Sequence, residues 1–369
     1  LHCETGASID DAWMSELATL NLTRRPRKGR LRFGADLRWW FCEKHHDGML
    51  LEAVQDIDLS LIFPDGIQAV PPPLPVPSTP GVEVEETWSG DPIHYAHGGY
   101  PGTIHRVTLH TAKGSVSGIE RYADRSFGVT EHAIKRPEDL AIVGEVYERR
   151  AAAMGTDSAG IGVMPMVAFQ SFLIQWAGVA EGVFIFMDAQ EEVQRLVARV
   201  EQIYEPIIEA LARQHPWICS CENLSADIST PYWDRFVGPQ LARRAELAGR
   251  FGAQWEIHLD GVVQPLLGRV AATGVRAVNG LTASPSGDLD PLKFREVAGP
   301  QLVLKDILPQ IIFVPMAYSE ENFENYVRRV IECYRDDERI VLGIGDMLPA
   351  NGSLKRVARV IELIEELTA

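Results

Sequence analysis

Arg250-Phe251-Gly252-Ala253-Gln254-Trp255-Glu256-Ile257-His258-Leu259-Asp260-Gly261 is the stretch whose reading decides the fold. Its middle is β-prone and its polar groups gather at the C-terminal end. Alternate side chains of a strand share a face, so His258 and Asp260 point one way while Ile257 and Leu259 point the other. Gly261 can then release the chain into a loop. Parallel α/β folds keep their chemistry at such strand ends. The plainer alternative is a histidine satisfied in a core or rim and an aspartate capping the next helix.

Outward from this strand the same unit repeats. On the N-terminal side, residues 160–167 are strand-like, and 191–213 form a long helix with apolar Val193, Leu196, Val197, Val200 and Ile203. Residues 217–221 make a strand that runs into Glu222-Asn223, and Ser229-Thr230-Pro231 opens a helix reaching Gly249. On the C-terminal side come helix 265–272, strand 274–281, helix 292–298, strand 301–305, helix 319–334, strand 339–342 and helix 353–367. This alternation predicts parallel βα units, and enough of them for an α/β fold of the (β/α)8 TIM-barrel type. Glu222, Asn223, His258, Asp260, Asp288, Lys305 and Asp346 all follow the apolar part of a strand, positions that meet at the C-terminal face of a barrel. A doubly wound sheet is the alternative, but neither GxGxxG after a first strand nor GxxxxGKS/T occurs.

Before residue 137 the texture differs. Residues 10–22 fit an amphipathic helix, and a basic run from Arg24 to Arg30 follows. Arg38-Trp39-Trp40-Phe41 supplies large aromatics that can pack a core or line a flat substrate's pocket. Residues 71–80 contain six prolines and read as a stiff connector. Residues 83–87, 103–111 and 115–122 alternate as strands do, and Arg136-Pro137-Glu138-Asp139 opens a helix. The expected division is therefore 1–136, an N-terminal helical and β-rich extension with the first barrel elements, and 137–369, the main part of the barrel, within one structural domain.

Composition narrows the function. The 369 residues are 46% hydrophobic, enough for a large core. Fifty-one acidic against 35 basic residues leave a formal charge of −16, which disfavours nucleic acid or an anionic membrane as partner and suits small-molecule chemistry. Five cysteines, an odd number without CxxC spacing, suggest neither a disulfide framework nor a zinc knuckle. A cytoplasmic setting follows, with no signal peptide expected in the first residues. Residues 163–187 are largely apolar, but Pro165, Gln170, Gln175 and Glu181 interrupt them, so they read as a buried strand, a loop and a short core helix, not a bilayer span. A homodimer stays open.

Three motifs carry a family resemblance: Ser229-Thr230-Pro231-Tyr232-Trp233 with Pro239, then Ile257-His258-Leu259-Asp260-Gly261, then Gly343-Ile344-Gly345-Asp346-Met347-Leu348-Pro349. In order and separation they resemble the Ser-Pro helix start, His-x-Cys-Gly strand end and Gly-x-Gly-x-x-Pro final strand of the uroporphyrinogen decarboxylase superfamily, which includes decarboxylases and cobalamin-dependent methyltransferases on a (β/α)8 barrel. The resemblance runs from about residue 137 to the C-terminus. Arg30-Leu31-Arg32-Phe33-Gly34 does not reproduce the Arg-x-x-Gly-Arg motif of the porphyrinogen decarboxylases, and Asp260 stands where the zinc-dependent methyltransferases have a cysteine.

What the resemblance implies is the methyltransferase branch: an enzyme moving a methyl group between a small methylated substrate, such as an O-methyl compound, and the cobalt of a corrinoid. The chain lacks an Asp-x-His-x-x-Gly cobalamin motif, so the corrinoid would arrive on a partner protein or free in solution. In this picture zinc is held by His258, Asp260 and Glu222, with Cys221 as a further candidate, and acts as a Lewis acid. Without metal, His258 and Glu222 serve as general acid and base. Asn223, Asp288 and Asp346 orient the substrate, and Trp39 and Trp40 line the mouth. Two other readings stay open: a metal-independent decarboxylase or lyase that holds a small carboxylic acid with Lys305, and a non-catalytic barrel that only retains a ligand.

Overall fold

The computed structural model describes residues 31–35, 79–89, 102–123, 126–154 and 163–368. In chain order the strands are β1 (Arg32–Gly34), β2 (Glu83–Ser89), β3 (Ile104–Thr111), β4 (Gly114–Ala123), β5 (Ser126–Glu131), β6 (Val163–Met164), β7 (Trp217–Leu224), β8 (Gln254–Leu259), β9 (Ala277–Asn279), β10 (Val303–Lys305) and β11 (Ile340–Gly343). The longer helices are α1 (Asp139–Met154), α2 (Val179–Asp188), α3 (Gln190–Gln214), α4 (Gly238–Gly249), α5 (Gln264–Ala272), α6 (Phe294–Ala298), α7 (Glu320–Tyr334) and α8 (Leu354–Thr368). The chain divides into two compact units, one of Val70–Leu259 with Pro265–Ala277, the other of Leu1–Ala69, Asp260–Gln264 and Val278–Ala369.

In the unit centred on Val70–Leu259, the β-rich segment is an antiparallel sheet in the order β2-β3-β4-β5. Every residue of β2 is exposed, and Glu83, Glu85 and Glu86 place charge along this edge strand, which discourages pairing with another chain. Helix α1 packs on β3 and β4: Ile142 lies against Gly114, and the Lys113 N–H donates to the Glu145 carboxylate (3.2 Å). Parallel β6, β7 and β8 lie side by side beyond it. Helix α3 buries Val193, Val197, Val200, Tyr204, Ile208 and Leu211, the stripe that helical periodicity places on one face. Residues 163–187 form β6, a loop, a short helix (Ala168–Ser171) running into a π-helical turn (Phe172–Trp176), and most of α2. No helix among the described residues is long and apolar enough to cross a membrane.

In the other unit, β1, β11, β10 and β9 follow one another in parallel order. Phe33 is in register with Leu342, and Leu304 with Ile340. All of β11 is buried, as in strands covered on both faces. Helix α7 starts on Ser319, whose hydroxyl accepts from the Asn322 N–H (3.2 Å), and Glu320 and Glu321 suit its dipole. Arg356 of α8, almost fully buried, donates to the carbonyls of Ile312 (2.6 Å) and Tyr318 (2.6 Å) and so pins the chain before α7.

Parallel strands alternating with helices make this a mixed α/β protein, and no closed sheet is formed among the described residues. The helix expected at 10–22, the basic run 24–30, Trp39 and Trp40, and the proline run through residue 78 lie outside the described residues.

Candidate functional site at the strand ends

Among the described residues, Asn223 (φ +45°), Asp306 (φ +61°) and Asp346 (φ +67°) are the non-glycine residues with left-handed backbone. Each stands at the C-terminal end of a parallel strand, β7, β10 or β11. Such a conformation costs on the order of 1–3 kcal/mol and gathers at ligand and active sites, and Asn and Asp tolerate it best after glycine. Within each unit by itself, the strain lies at strand ends, the positions where parallel α/β proteins bind substrates.

Strands β7 and β8 supply one such set of ends. Cys221 is in register with His258, so in parallel pairing their side chains share a face. Both are partly accessible. The Cys221 thiol donates to the Asn223 side-chain oxygen (3.1 Å). Buried Gln170 reaches the Asn223 carbonyl (3.5 Å), and the Ser229 hydroxyl donates to the Gln170 side-chain oxygen (3.4 Å). The serine of the Ser-Thr-Pro motif thus supports, through Gln170, the strained turn that carries Asn223.

Glu222 lies on the other face, which corrects the expectation that it joins His258. Its carboxylate accepts from the Ser220 hydroxyl (2.6 Å) and the Val167 N–H (2.9 Å), with the Arg244 guanidinium 4.0 Å away. Ser220 in turn accepts from the Trp255 indole N–H (3.1 Å). Glu222 and Arg244 are both fully buried. Burial pushes the Glu222 carboxyl above its ordinary range, and Arg244 and the Ser220 hydroxyl offset part of that. Arg244 also holds both oxygens of Glu201 (2.8 and 2.9 Å) and the carbonyls of Pro165 (2.6 Å) and Met166 (3.1 Å). This network fixes the loop that leaves β6.

Cys221 and His258 share their face of β7 and β8 with the preceding in-register pair, Cys219 and Glu256. Among the described residues no three His, Cys, Asp or Glu side chains gather as for a metal ion. A catalytic zinc takes three protein ligands, and no such set is gathered among these residues.

The other unit holds the remaining acids. Asp260 accepts from the Gly261 N–H (2.7 Å) and the Thr282 hydroxyl (3.5 Å). Asp288 accepts from the N–H groups of Val263 (2.9 Å) and Gln264 (3.1 Å), so it ties the chain after Asp260 instead of standing open to substrate. Asp346 accepts from the Gln310 amide (3.3 Å). Lys305 is nearly buried and in register with Val341. Asp306, just beyond it, accepts from the Gly280 N–H (3.3 Å) and occupies the space a side chain at Gly343 would need. A Cβ on Gly345 would meet the Leu281 carbonyl oxygen at 2.9 Å. The glycines of Gly343-Ile344-Gly345-Asp346 are thus explained by close approach of neighbouring strand ends, and Asp346 is what they present.

Trp39 and Trp40 lie outside the described residues. Reading by strand ends missed Arg244 and Glu201, although a signal was there: Arg244 falls between Leu241 and Leu247-Ala248 on the buried stripe of α4, where an unpaired charge is untenable. No family model matches the chain, and no curated protein matches it.

Proposed function

We propose that the chain is a cytoplasmic methyltransferase on a (β/α)8 barrel, of the uroporphyrinogen decarboxylase-like kind. It moves a methyl group from a small methylated substrate, such as an O-methyl compound, to the cobalt of a corrinoid carried by a partner protein. The observation that carries the reading is the left-handed backbone at Asn223, Asp306 and Asp346, strain located where a barrel keeps its active site. Among the described residues Cys219, Cys221 and Cys333 are not joined in disulfides, which suits a reducing compartment.

A corrinoid on a partner would supply the nucleophile that accepts the methyl group as the carbon–oxygen bond breaks, and the chain's part is to give the departing oxygen a proton. His258, partly accessible at the end of β8 and in register with Cys221, is the proton donor. Asn223, at the end of β7 beside Cys221, orients the substrate. Glu222 has no part in the chemistry, because its carboxyl faces Ser220 and Arg244. Asp260, two residues beyond His258, holds the turn that follows it.

The test is to mix the full chain with cob(I)alamin and a panel of methyl ethers and methylamines and follow methylcobalamin by absorbance. Turnover that falls by about 100-fold or more in His258→Ala supports the reading. Absence of methylation across the panel, with carbon dioxide released from small carboxylic acids instead, overturns it in favour of a decarboxylase.

A further inference from the structure

We propose that a pocket in the unit centred on Val278–Ala369 binds a zwitterionic amino acid with an aromatic side chain. The pocket has a volume of about 540 Å³, within the range of small-molecule sites, and its walls include Ser284, Asp290, Leu292, Tyr318, Tyr326 and Arg329. It is formed by the chain that follows β9 and by α7 with the residue run leading into it.

Its aromatic part is held in place. Tyr318 and Tyr326 stand edge to face, ring centres 6.4 Å apart at 88°. The Tyr326 hydroxyl donates to the Ser284 carbonyl (2.7 Å), which fixes that ring. The anchored Tyr326 ring and the perpendicular Tyr318 ring make a corner that a third ring can enter edge-on or offset, the arrangements aromatic groups prefer.

Its charges are divided. One oxygen of Asp290 accepts from the Leu292 N–H (2.9 Å), and the other accepts nothing among the described residues. Arg329 makes no hydrogen bond or ion pair among them, so the two charges do not satisfy each other. Asp288, the second carboxylate of the wall, is engaged with the N–H groups of Val263 and Gln264. What remains is one acceptor for an ammonium and one guanidinium for a carboxylate, beside a slot for a ring. A bare acid or a bare amine leaves one of the two charges unanswered. Binding here requires nothing of the methyl-transfer reading.

Calorimetric titration of the full chain with L-phenylalanine, 3-phenylpropanoate and phenethylamine tests this. L-Phenylalanine is expected to bind at least about ten-fold more tightly than either half-ligand, the worth of one charge-assisted hydrogen bond. Arg329→Gln should bring phenylalanine down to the level of phenethylamine and leave phenethylamine unchanged. Asp290→Asn keeps an oxygen for the Leu292 N–H and should bring phenylalanine down to the level of phenylpropanoate. Thermal unfolding of both variants near the parent's midpoint establishes that they fold. No binding of phenylalanine, a half-ligand that binds as tightly, or phenylalanine affinity untouched by either substitution overturns the proposal. None of these outcomes bears on the cob(I)alamin assay, so the two readings fail separately.

Discussion

The two faces of β7 divide the labour of one strand. Ser220 and Glu222 are fully buried and close a network with Trp255, Val167 and Arg244, whereas Cys219, Cys221 and Asn223 keep partial access. Both faces carry groups able to do chemistry. Only the second presents them beside His258. Side-chain parity, more than the presence of an acid at a strand end, decides whether a residue holds the fold or faces a ligand.

The sharpest way to break the comparison is to remove the cation behind the buried face. Arg244→Met leaves Glu201 and Glu222 without their counter-charge, and urea unfolding should show a loss of about 3–5 kcal/mol. A loss under about 1 kcal/mol would mean that water reaches this network. Ser220→Ala removes the partner of both the Trp255 indole and the Glu222 carboxyl, at a cost of about 1–3 kcal/mol. Cys219→Ala, one residue away on the opposite face of the same strand, should cost less in the same measurement.

Glu222→Gln sharpens the account through pH. The folded protein holds this carboxyl above its ordinary value of 4.5, so whatever Glu222 contributes is fully present below that pH and is lost as pH rises through the folded value. The variant should therefore be destabilised by about 1 kcal/mol in acid and progressively less towards neutrality. A cost that grows with pH would show that the ion pair with Arg244 outweighs burial. The smallest expected effect on stability is at Asn223→Gly, which relieves the left-handed backbone but gives up the bond from Cys221; unfolding should change by no more than about 1 kcal/mol, while substrate turnover falls.

Long periodic elements were legible in the sequence. The helix expected at 191–213 is α3, Gln190–Gln214, because one apolar stripe runs its whole length. The strand expected at 274–281 shrinks to Ala277–Asn279, since Gly274 and Gly280 both take positive φ and leave only the run between them extended. β7 runs through Glu222-Asn223 to Leu224 instead of stopping before them, and its register with β8 shifts between Cys221 and Leu224. A bulge of this kind has no mark in local composition, so the direction of Glu222 was hidden until its partners were placed. β1, only Arg32–Gly34, pairs with the last strand across the length of the chain, and such a contact is invisible to periodicity. The acids of the final motif were found, but the reason for its glycines, neighbouring backbone and the Asp306 carboxylate, belongs to three-dimensional packing.

In the proposed mechanism the His258 face does the chemistry and the Glu222 face holds it in place. The most direct test is to run His258→Ala and Glu222→Gln side by side in the cob(I)alamin assay, each checked for folding by thermal unfolding. The account predicts a fall of about 100-fold or more for His258→Ala and activity within about three-fold of the parent for Glu222→Gln. A folded Glu222→Gln that has lost turnover, beside a His258→Ala that retains it, would contradict the account.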